Sequence, residues 1–303
     1  MKKVFVLGSI NMDFSIRVDA LPMVGESKRS HGYMASQGGK GANQAIANKK
    51  LGLDEVYFIG AVGNDENGRL LKEAISSQGV NVEGLKEDDK LQSGVCFAIF
   101  DEKISDNMLL IDPGANESVD PDFVESFLDQ RADPGDIFIA QLEINLDAIY
   151  RGIKKAKELG MFVILNPAPV RPIDAKIYAY LDLIVLNETE TKLLTGIDAT
   201  GEESIKKAYQ FFGVNEMVIT LGKDGGYYIN KEKIIKYDAY KAKVVDTTCA
   251  GDTFIGALSL KKANGKEIYD SLDFAAKCSA ITVSRQGAGI SIPTKEEVKQ
   301  LDE

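Results

Sequence analysis

The run Asp246-Thr-Thr-Cys-Ala-Gly-Asp252 has the composition of a site that handles a phosphate. Ala250 and Gly251 predict the opening of a helix whose first N–H groups are free to meet an anion. Gly251 also lets a phosphate approach the backbone closely. Asp252 falls in the first helical turn, where a hydroxyl could donate to it and give up its proton. The same carboxylate would also complement the helix dipole, with Thr248 as a plain cap, and local physics weighs the two readings evenly. Other segments suit a ligand rich in hydroxyls, because carboxylates and carboxamides bond adjacent hydroxyls in pairs. Asn11 and Asp13 follow a first strand, on one face of the chain, at the end where open α/β sheets bind ligands. In Gly38-Gly39-Lys40-Gly41-Ala42-Asn43 the glycines predict a tight turn, and Asn43 projects from the start of a helix. Lys40 there could equally be a solvated lysine. Asn187-Glu188-Thr189-Glu190 reads as an N-cap followed by dipole-favoured glutamates. Asp246 is expected to be a buried carboxylate that needs a partner.

These segments need a frame. Val4–Leu7, Val56–Ile59, Ile137–Ala140, Phe162–Leu165, Leu183–Leu186 and Met217–Leu221 are near-continuous apolar runs. Such runs fit strands of a parallel sheet covered on both faces. Helical spacing lies between them, at Gly41–Leu51, Asn67–Gln78, Leu146–Leu159 and Glu188–Leu194, with Gly52, Gly79 and Gly160 in C-cap positions. The alternation predicts βα units around a mostly parallel sheet. Asp13–Val18 with Gly32–Ser36, and Gly94–Phe100 with Ile104–Ile111, break the rhythm as hairpin-type strands. Asp101-Glu-Lys-Ile-Ser-Asp reads as the turn of the second pair. Together they predict a small sheet, placed as a lid. The last third predicts strands in Tyr227–Tyr237 and helices at Ala250–Lys262, Ile268–Arg285 and Lys295–Leu301. No repeat or interdomain linker is visible. We expect one domain over 1–303, with lid strands from about 13–36 and 94–111.

Composition excludes several functions. The 303 residues carry 36 basic and 46 acidic side chains, a formal net charge of −10, so nucleic acid and anionic membranes are poor partners. Cys96, Cys249 and Cys278 are widely spaced and His31 is the lone histidine, which rules out a disulfide framework and a zinc site. Cys96 and Cys278 read as small core residues. Val4–Leu7 begins a strand rather than a signal peptide, and no run approaches the ~20 apolar residues of a membrane span. A reducing cytoplasm is therefore expected. A dinucleotide oxidoreductase would need Gly-x-Gly-x-x-Gly and an acidic residue after the next strand, and a P-loop enzyme would need Gly-Lys-Ser/Thr. Neither pattern is present.

The Asp246–Asp252 run resembles the Asp-Thr-x-x-Ala/Gly-Gly-Asp signature of the ribokinase family of sugar kinases. Gly38–Ala45 resembles that family's N-terminal signature. Gly8-Ser-Ile-Asn11-Met-Asp13, Gly114-Ala-Asn116, Gln141-Leu-Glu143, Asn166-Pro-Ala-Pro169, Asn187–Glu190 and Thr220-Leu-Gly222-Lys-Asp-Gly225 follow in the family's order. The matches run from residue 8 to about residue 293. The resemblance implies a three-layer α/β/α sandwich with a β-sheet lid. It also implies transfer of the ATP γ-phosphoryl to the 5-hydroxyl of D-ribose, the alternative being another sugar or nucleoside kinase of the family, acting on 2-deoxyribose, fructose or 2-keto-3-deoxygluconate. Asp252 would be the base, and the N–H groups of Cys249, Ala250, Gly251 and Asp252 the anion hole. Asn11, Asp13, Gly39, Lys40, Gly41, Asn43 and Glu143 would line the sugar pocket. Asn187, Thr220, Gly222, Gly225 and Gly251 would serve the nucleotide. Glu190 would help to hold Mg²⁺ through water. A monovalent cation, K⁺ by resemblance, would sit among Asp246, Thr248, Thr282, Arg285, Gly287 and Ser291, mostly on carbonyls. Exposed strand edges on such a lid could pair with a second subunit, so a homodimer through the lid is expected. Cys249 departs from the usual Ala or Gly, and a helix N-terminus could lower its thiol pKa; an inert filler is the weightier reading. A silent sugar sensor on the same fold would not need Asp252.

Overall fold

The computed structural model describes residues 2–101, 103 and 106–300. Its centre is a nine-stranded sheet ordered β13-β12-β11-β10-β9-β8-β1-β4-β5. The strands are β1 (Val4–Leu7), β4 (Val56–Gly63), β5 (Asn81–Asp88), β8 (Ile137–Ala140), β9 (Phe162–Leu165), β10 (Leu183–Asn187), β11 (Glu216–Thr220), β12 (Gly226–Asn230) and β13 (Ile234–Tyr237). Pairing is parallel from β5 through β11; β12 and β13 add antiparallel ribbons at one edge. Alternation splits each central strand between two cores. Val4 and Val6 pack with helices α1 (Lys40–Lys50), α2 (Glu66–Ser77), α7 (Ala250–Ala263), α8 (Ile268–Val283) and α9 (Lys295–Lys299). Phe5 and Leu7 pack on the other face with α3 (Pro121–Arg131), α4 (Leu146–Glu158) and α6 (Glu202–Phe212). The short α5 (Glu188–Thr195) follows β10. This is the three-layer arrangement the apolar runs require.

The lid is a separate four-stranded sheet, β3-β2-β6-β7, made of β2 (Asn11–Val18), β3 (Tyr33–Gly38), β6 (Gly94–Asp101) and β7 (Asp106–Asp112). Its hairpin pairs are antiparallel as expected, and β2 joins β6 in parallel register, with Asp13 beside Cys96 and Phe14 beside Phe97. Glu102, Ile104 and Ser105 of the expected turn and strand start, and Leu301 of the last helix, lie outside the described residues.

Element ends move by a residue or more, most at β4, which runs on to Gly63. Gly52, Gly79 and Gly160 take φ of 104°, 83° and 74° just past their helices, as C-caps demand. The sequence pattern hid β5, α3 and α6. β5 is an edge strand of mixed Asn-Val-Glu-Gly-Leu-Lys-Glu-Asp, with neither alternation nor an apolar run. α3 is marked instead by its cap: Asp120 accepts from the Asp122 N–H and Pro121 starts the helix.

Candidate active site

The carboxyl ends of the strands, the lid and the start of α7 enclose two adjoining spaces. The first is a cavity of about 410 Å³ lined by Asp13, Lys40, Asn43, Glu143, Glu190 and Asp252 among others. The second is a cleft of about 620 Å³ lined by Thr220, Gly222, Gly225, Gly251 and a mostly apolar wall. Thr220, Thr247, Gly251 and Phe254 border both. A group bound in one space can therefore reach a group bound in the other at the N-terminus of α7.

Asp252 is buried in the first turn of α7. Asn43 Nδ2 donates to its Oδ2 at 3.1 Å and Gln44 Nε2 to its Oδ1 at 3.0 Å. Burial pushes its pKa above the usual carboxylate value; the Lys40 charge and the two amide bonds pull against that, and Glu143 adds to it. Two turns of the chain bring these groups together. Gly39 holds φ 90°, and a Cβ there would lie 2.7 Å from Ile10 Cα. A Cβ on Gly41 would lie 2.7 Å from the Gly8 backbone. Both glycines are thus sterically required, whatever else they do. Lys40 is no solvated lysine: burial lowers its pKa, but Asp252, Glu143 and Glu190 outweigh that and the net shift is upward.

Across the cavity, Glu143 accepts from Ser9 Oγ and from the Lys40 N–H at 3.0 Å. Asn11 Oδ1 accepts from Asn116 Nδ2 at 2.8 Å, and Asn116 also grips both backbone groups of Ile10. Asp13 is different. Its Oδ1 is buried without a hydrogen-bond partner. Burial first, then the Glu143 and Asp252 charges, raises its pKa from 3.8 to about 7. A buried acceptor left open invites a ligand donor. Cys96, Leu109 and Ile111 close this cavity from the lid. Sequence reasoning missed their part because the lid's register, not residue chemistry, aims them inward.

The α7 start refines the expected anion hole. The N-cap is Cys249 at φ 67°, with no side-chain cap, so the reading of Thr248 as a cap is overturned. Cys249 is the only described non-glycine residue with positive φ. The Ala250 N–H bonds Thr247 O at 3.3 Å, so of the four expected amides those of Cys249, Gly251 and Asp252 are the ones left to an anion. The Cys249 thiol is buried and its pKa is raised, first by burial and then by Asp252, so the low-pKa idea is also overturned. It is a filler.

Asn187 and Glu190 form a reciprocal capping box, with Asn187 N–H to Glu190 Oε2 at 2.9 Å and Glu190 N–H to Asn187 Oδ1 at 2.8 Å. The capping role is real, and both residues also line the cavity beside Asp252. Burial raises the Glu190 pKa, against the Asn187 bond and Lys40. No cluster of three or more acidic, Cys or His ligands exists among the described residues. One carboxylate with an oxygen to spare fits a hydrated Mg²⁺ rather than a caged one.

Asp246 is partly exposed, not buried as expected. It accepts from the Thr248 N–H at 2.9 Å and the Gly287 N–H at 3.1 Å, joining the two loops. The side chains of Thr282, Arg285 and Ser291 are committed to Thr253 Oγ1, Glu297 and Ala288 O respectively. Arg285 can offer a cation only its carbonyl, whereas the Thr282 and Ser291 hydroxyls donate in these bonds and keep their lone pairs.

A model of the pfkB family of carbohydrate kinases matches residues 1–295. The chain belongs to that family. It is 40% identical to the ribokinase of Schizosaccharomyces pombe, over 98% of this chain and 97% of the relative. It superposes on the ribokinase of Thermotoga maritima with a TM-score of 0.90 at 32% identity, covering 100% of both chains. Arabidopsis thaliana ribokinase complexed with ribose and ATP gives 0.89 at 30% identity, over 99% of this chain and 98% of that one. The protein is an ATP-dependent sugar kinase. No helix among the described residues is long and apolar enough to cross a membrane.

Proposed function

We propose that this kinase transfers the γ-phosphoryl of ATP to the 5-hydroxyl of D-ribose. The observation that carries the reading is Asp252, a buried carboxylate fixed on both oxygens where the hydroxyl-binding cavity meets the nucleotide cleft. Asp13, Asn11, Asn43 and Glu143 orient the sugar. Asp252 takes the 5-hydroxyl proton as that oxygen bonds to phosphorus and the bond to the ADP oxygen breaks. The Gly251 and Asp252 amides stabilise charge on the moving group. Glu190 and Asn187 would hold Mg²⁺ through water, and the ion would supply positive charge against the leaving phosphates. The lid excludes water that would compete as acceptor. Steady-state ADP release with ribose, 2-deoxyribose, fructose and 2-keto-3-deoxygluconate tests the acceptor. The highest kcat/KM is expected on ribose; a higher value on another sugar would sink that assignment and leave the kinase intact. Asp252→Asn should lose about 10³-fold in turnover. Retention of more than about a tenth would remove Asp252 as base.

The family likeness and the carbonyls around Asp246 also support a K⁺ site there. Replacing K⁺ by a bulky quaternary ammonium should lower turnover, and equal rates would discard the site. The outward lid face carries Phe14 stacked on Phe97 at 5.4 Å, with Met108 50% and Leu110 58% exposed. Such a face, flanked by open strand edges, supports a homodimer through the lid. Sedimentation should give a dimer that Leu110→Asp dissociates; a monomeric parent would refute it. The three thiols are all free and buried, which suits the proposed cytoplasmic setting.

A further inference from the structure

Behind Asp252, away from the sugar, lies a chain of side-chain amides that the reading above does not use. Gln141 Nε2 donates to Gln44 Oε1 at 2.7 Å, and Gln44 Nε2 donates to Asp252 Oδ1 at 3.0 Å. The second Gln44 hydrogen faces Asn166 Oδ1 at 3.4 Å, and Asn166 is itself fixed by donation to Val185 O at 3.0 Å. Gln44 and Gln141 are fully buried. Neither lines the sugar cavity or the nucleotide cleft.

We propose that Gln141 and Gln44 form a directional amide relay whose job is to present an N–H, never a carbonyl, to the catalytic base. The inference rests on Asp252 as base. A glutamine amide has two nearly isosteric ends, and turning it over would set a carbonyl against the carboxylate. Gln44 cannot turn while Gln141 donates to its oxygen. Gln141 is packed in turn: its Oε1 has no hydrogen-bond partner and lies where an ideal Cβ on Gly8 would come within 2.0 Å of it. The absent side chain at Gly8 thus leaves room for the relay's first member. Bonds polarised in one direction strengthen each other in a buried site. Gln44 touches no substrate and is a positioning residue.

The titratable groups around Asp252 are Lys40 on α1, Asp13 on β2, Glu143 after β8, Glu190 on α5 and the Cys249 thiol, which burial keeps neutral. Three of them are carboxylates, and burial already raises the Asp252 pKa, so loss of the Gln44 donor should raise it further, with Lys40 and Asn43 still opposing. The test is single-turnover transfer to ribose at saturating sugar and ATP, read against pH, in Gln44→Met and Gln141→Met. Met keeps length and volume and removes the amide. Transfer requires ionised Asp252, so the rate falls on the acid side. Gln44→Met should move that acid limb up by about one pH unit. Gln141→Met, which touches nothing on Asp252, should move it the same way by less, and neither should change ribose binding more than about twofold. An unmoved limb in both variants overturns the relay, even if rates fall. If Gln44→Met does not fold, the Gln141→Met limb decides alone. Asp252→Asn separates the premises: if it stays active the base reading fails, whereas if it is dead and the limbs are unmoved only the relay fails.

Discussion

The sugar cavity and the nucleotide cleft lie side by side and are built in opposite ways. The cavity is defined by side chains: Asp13, Glu143 and Asp252 converge on it with Lys40, and buried amides or a backbone donor aim Asp252 and Glu143, while Asp13 Oδ1 is left open. The cleft is defined by backbone and bulk. Gly222, Gly225 and Gly251 shape one end, and Tyr237, Phe254, Ala276, Ala280 and Val283 form an apolar wall. The difference follows from the ligands. A small polyol can be recognised only through its hydroxyls, whereas a nucleotide offers a flat base to an apolar wall and phosphates to amides at a helix start. One region spends stability on placing charge; the other spends almost none.

Asp13 gives the largest expected effect on that contrast. Its Oδ1 is buried and unpaired, and it ionises at about 7 rather than 3.8. The folded state therefore holds a proton that the unfolded state has lost between about pH 4 and 7, so ionising Asp13 costs stability as pH rises through that window. Asp13→Asn removes the cost. Its Tm should exceed the parent's at pH 8 and converge with it near pH 4. Sugar affinity should move the other way. A hydroxyl donates best to the carboxylate, so the parent's KM for ribose should fall as pH rises through about 7. Asp13→Asn should bind ribose about 10- to 100-fold more weakly, with little dependence on pH, as expected when a hydrogen bond to a charged group is lost. Melting and initial-rate series over pH 5–8 check both limbs. A variant less stable than the parent at pH 8 would show that Asp13 is paired, and the contrast would lose its sharpest member.

The same contrast explains what was legible in the sequence. β1, β8 and β9 were legible to the residue because a strand buried on both faces has to be apolar throughout. Asn11, Asp13, Asn43 and Glu143 stood out as carboxamides and carboxylates near strand ends and helix starts, and the fold brings all four to one cavity. Gln44 was overlooked, though it left a signal: Asn43, Gln44 and Asn48 are amides inside a helix buried from Gly41 to Asn48, where alanine would be cheaper. The apolar wall of the cleft left almost no trace, since Ala276, Ala280 and Val283 look like any helix face against a core. The cation loop misled for a related reason. Asp246 is satisfied by two backbone N–H groups at the surface, and carbonyl ligands carry no residue signature.

The glycines of the cleft sharpen the comparison with a smaller effect, because two of them differ in what they face. A Cβ on Gly225 would lie 2.0 Å from Tyr237 O, in a residue already at φ 77°. Gly225→Ala must therefore strain the turn and lower stability along with ATP use. A Cβ on Gly251 would meet nothing within 4 Å, and its φ is not in the left-handed region. The fold gives no reason for glycine there, and alanine favours a helix by up to ~1 kcal/mol over glycine. Gly251→Ala should thus melt no lower than the parent. Yet the methyl would point into the space shared by cavity and cleft, where phosphates must reach the Gly251 and Asp252 amides. We expect KM for ATP to rise about 10-fold, roughly the loss of one hydrogen bond to a charged phosphate, while ribose binding stays within about twofold. Melting curves with ATP and ribose titrations separate the cases. If Gly251→Ala loses stability, the open space beside it is filled by structure and the cleft is held together more like the cavity than its apolar wall suggests.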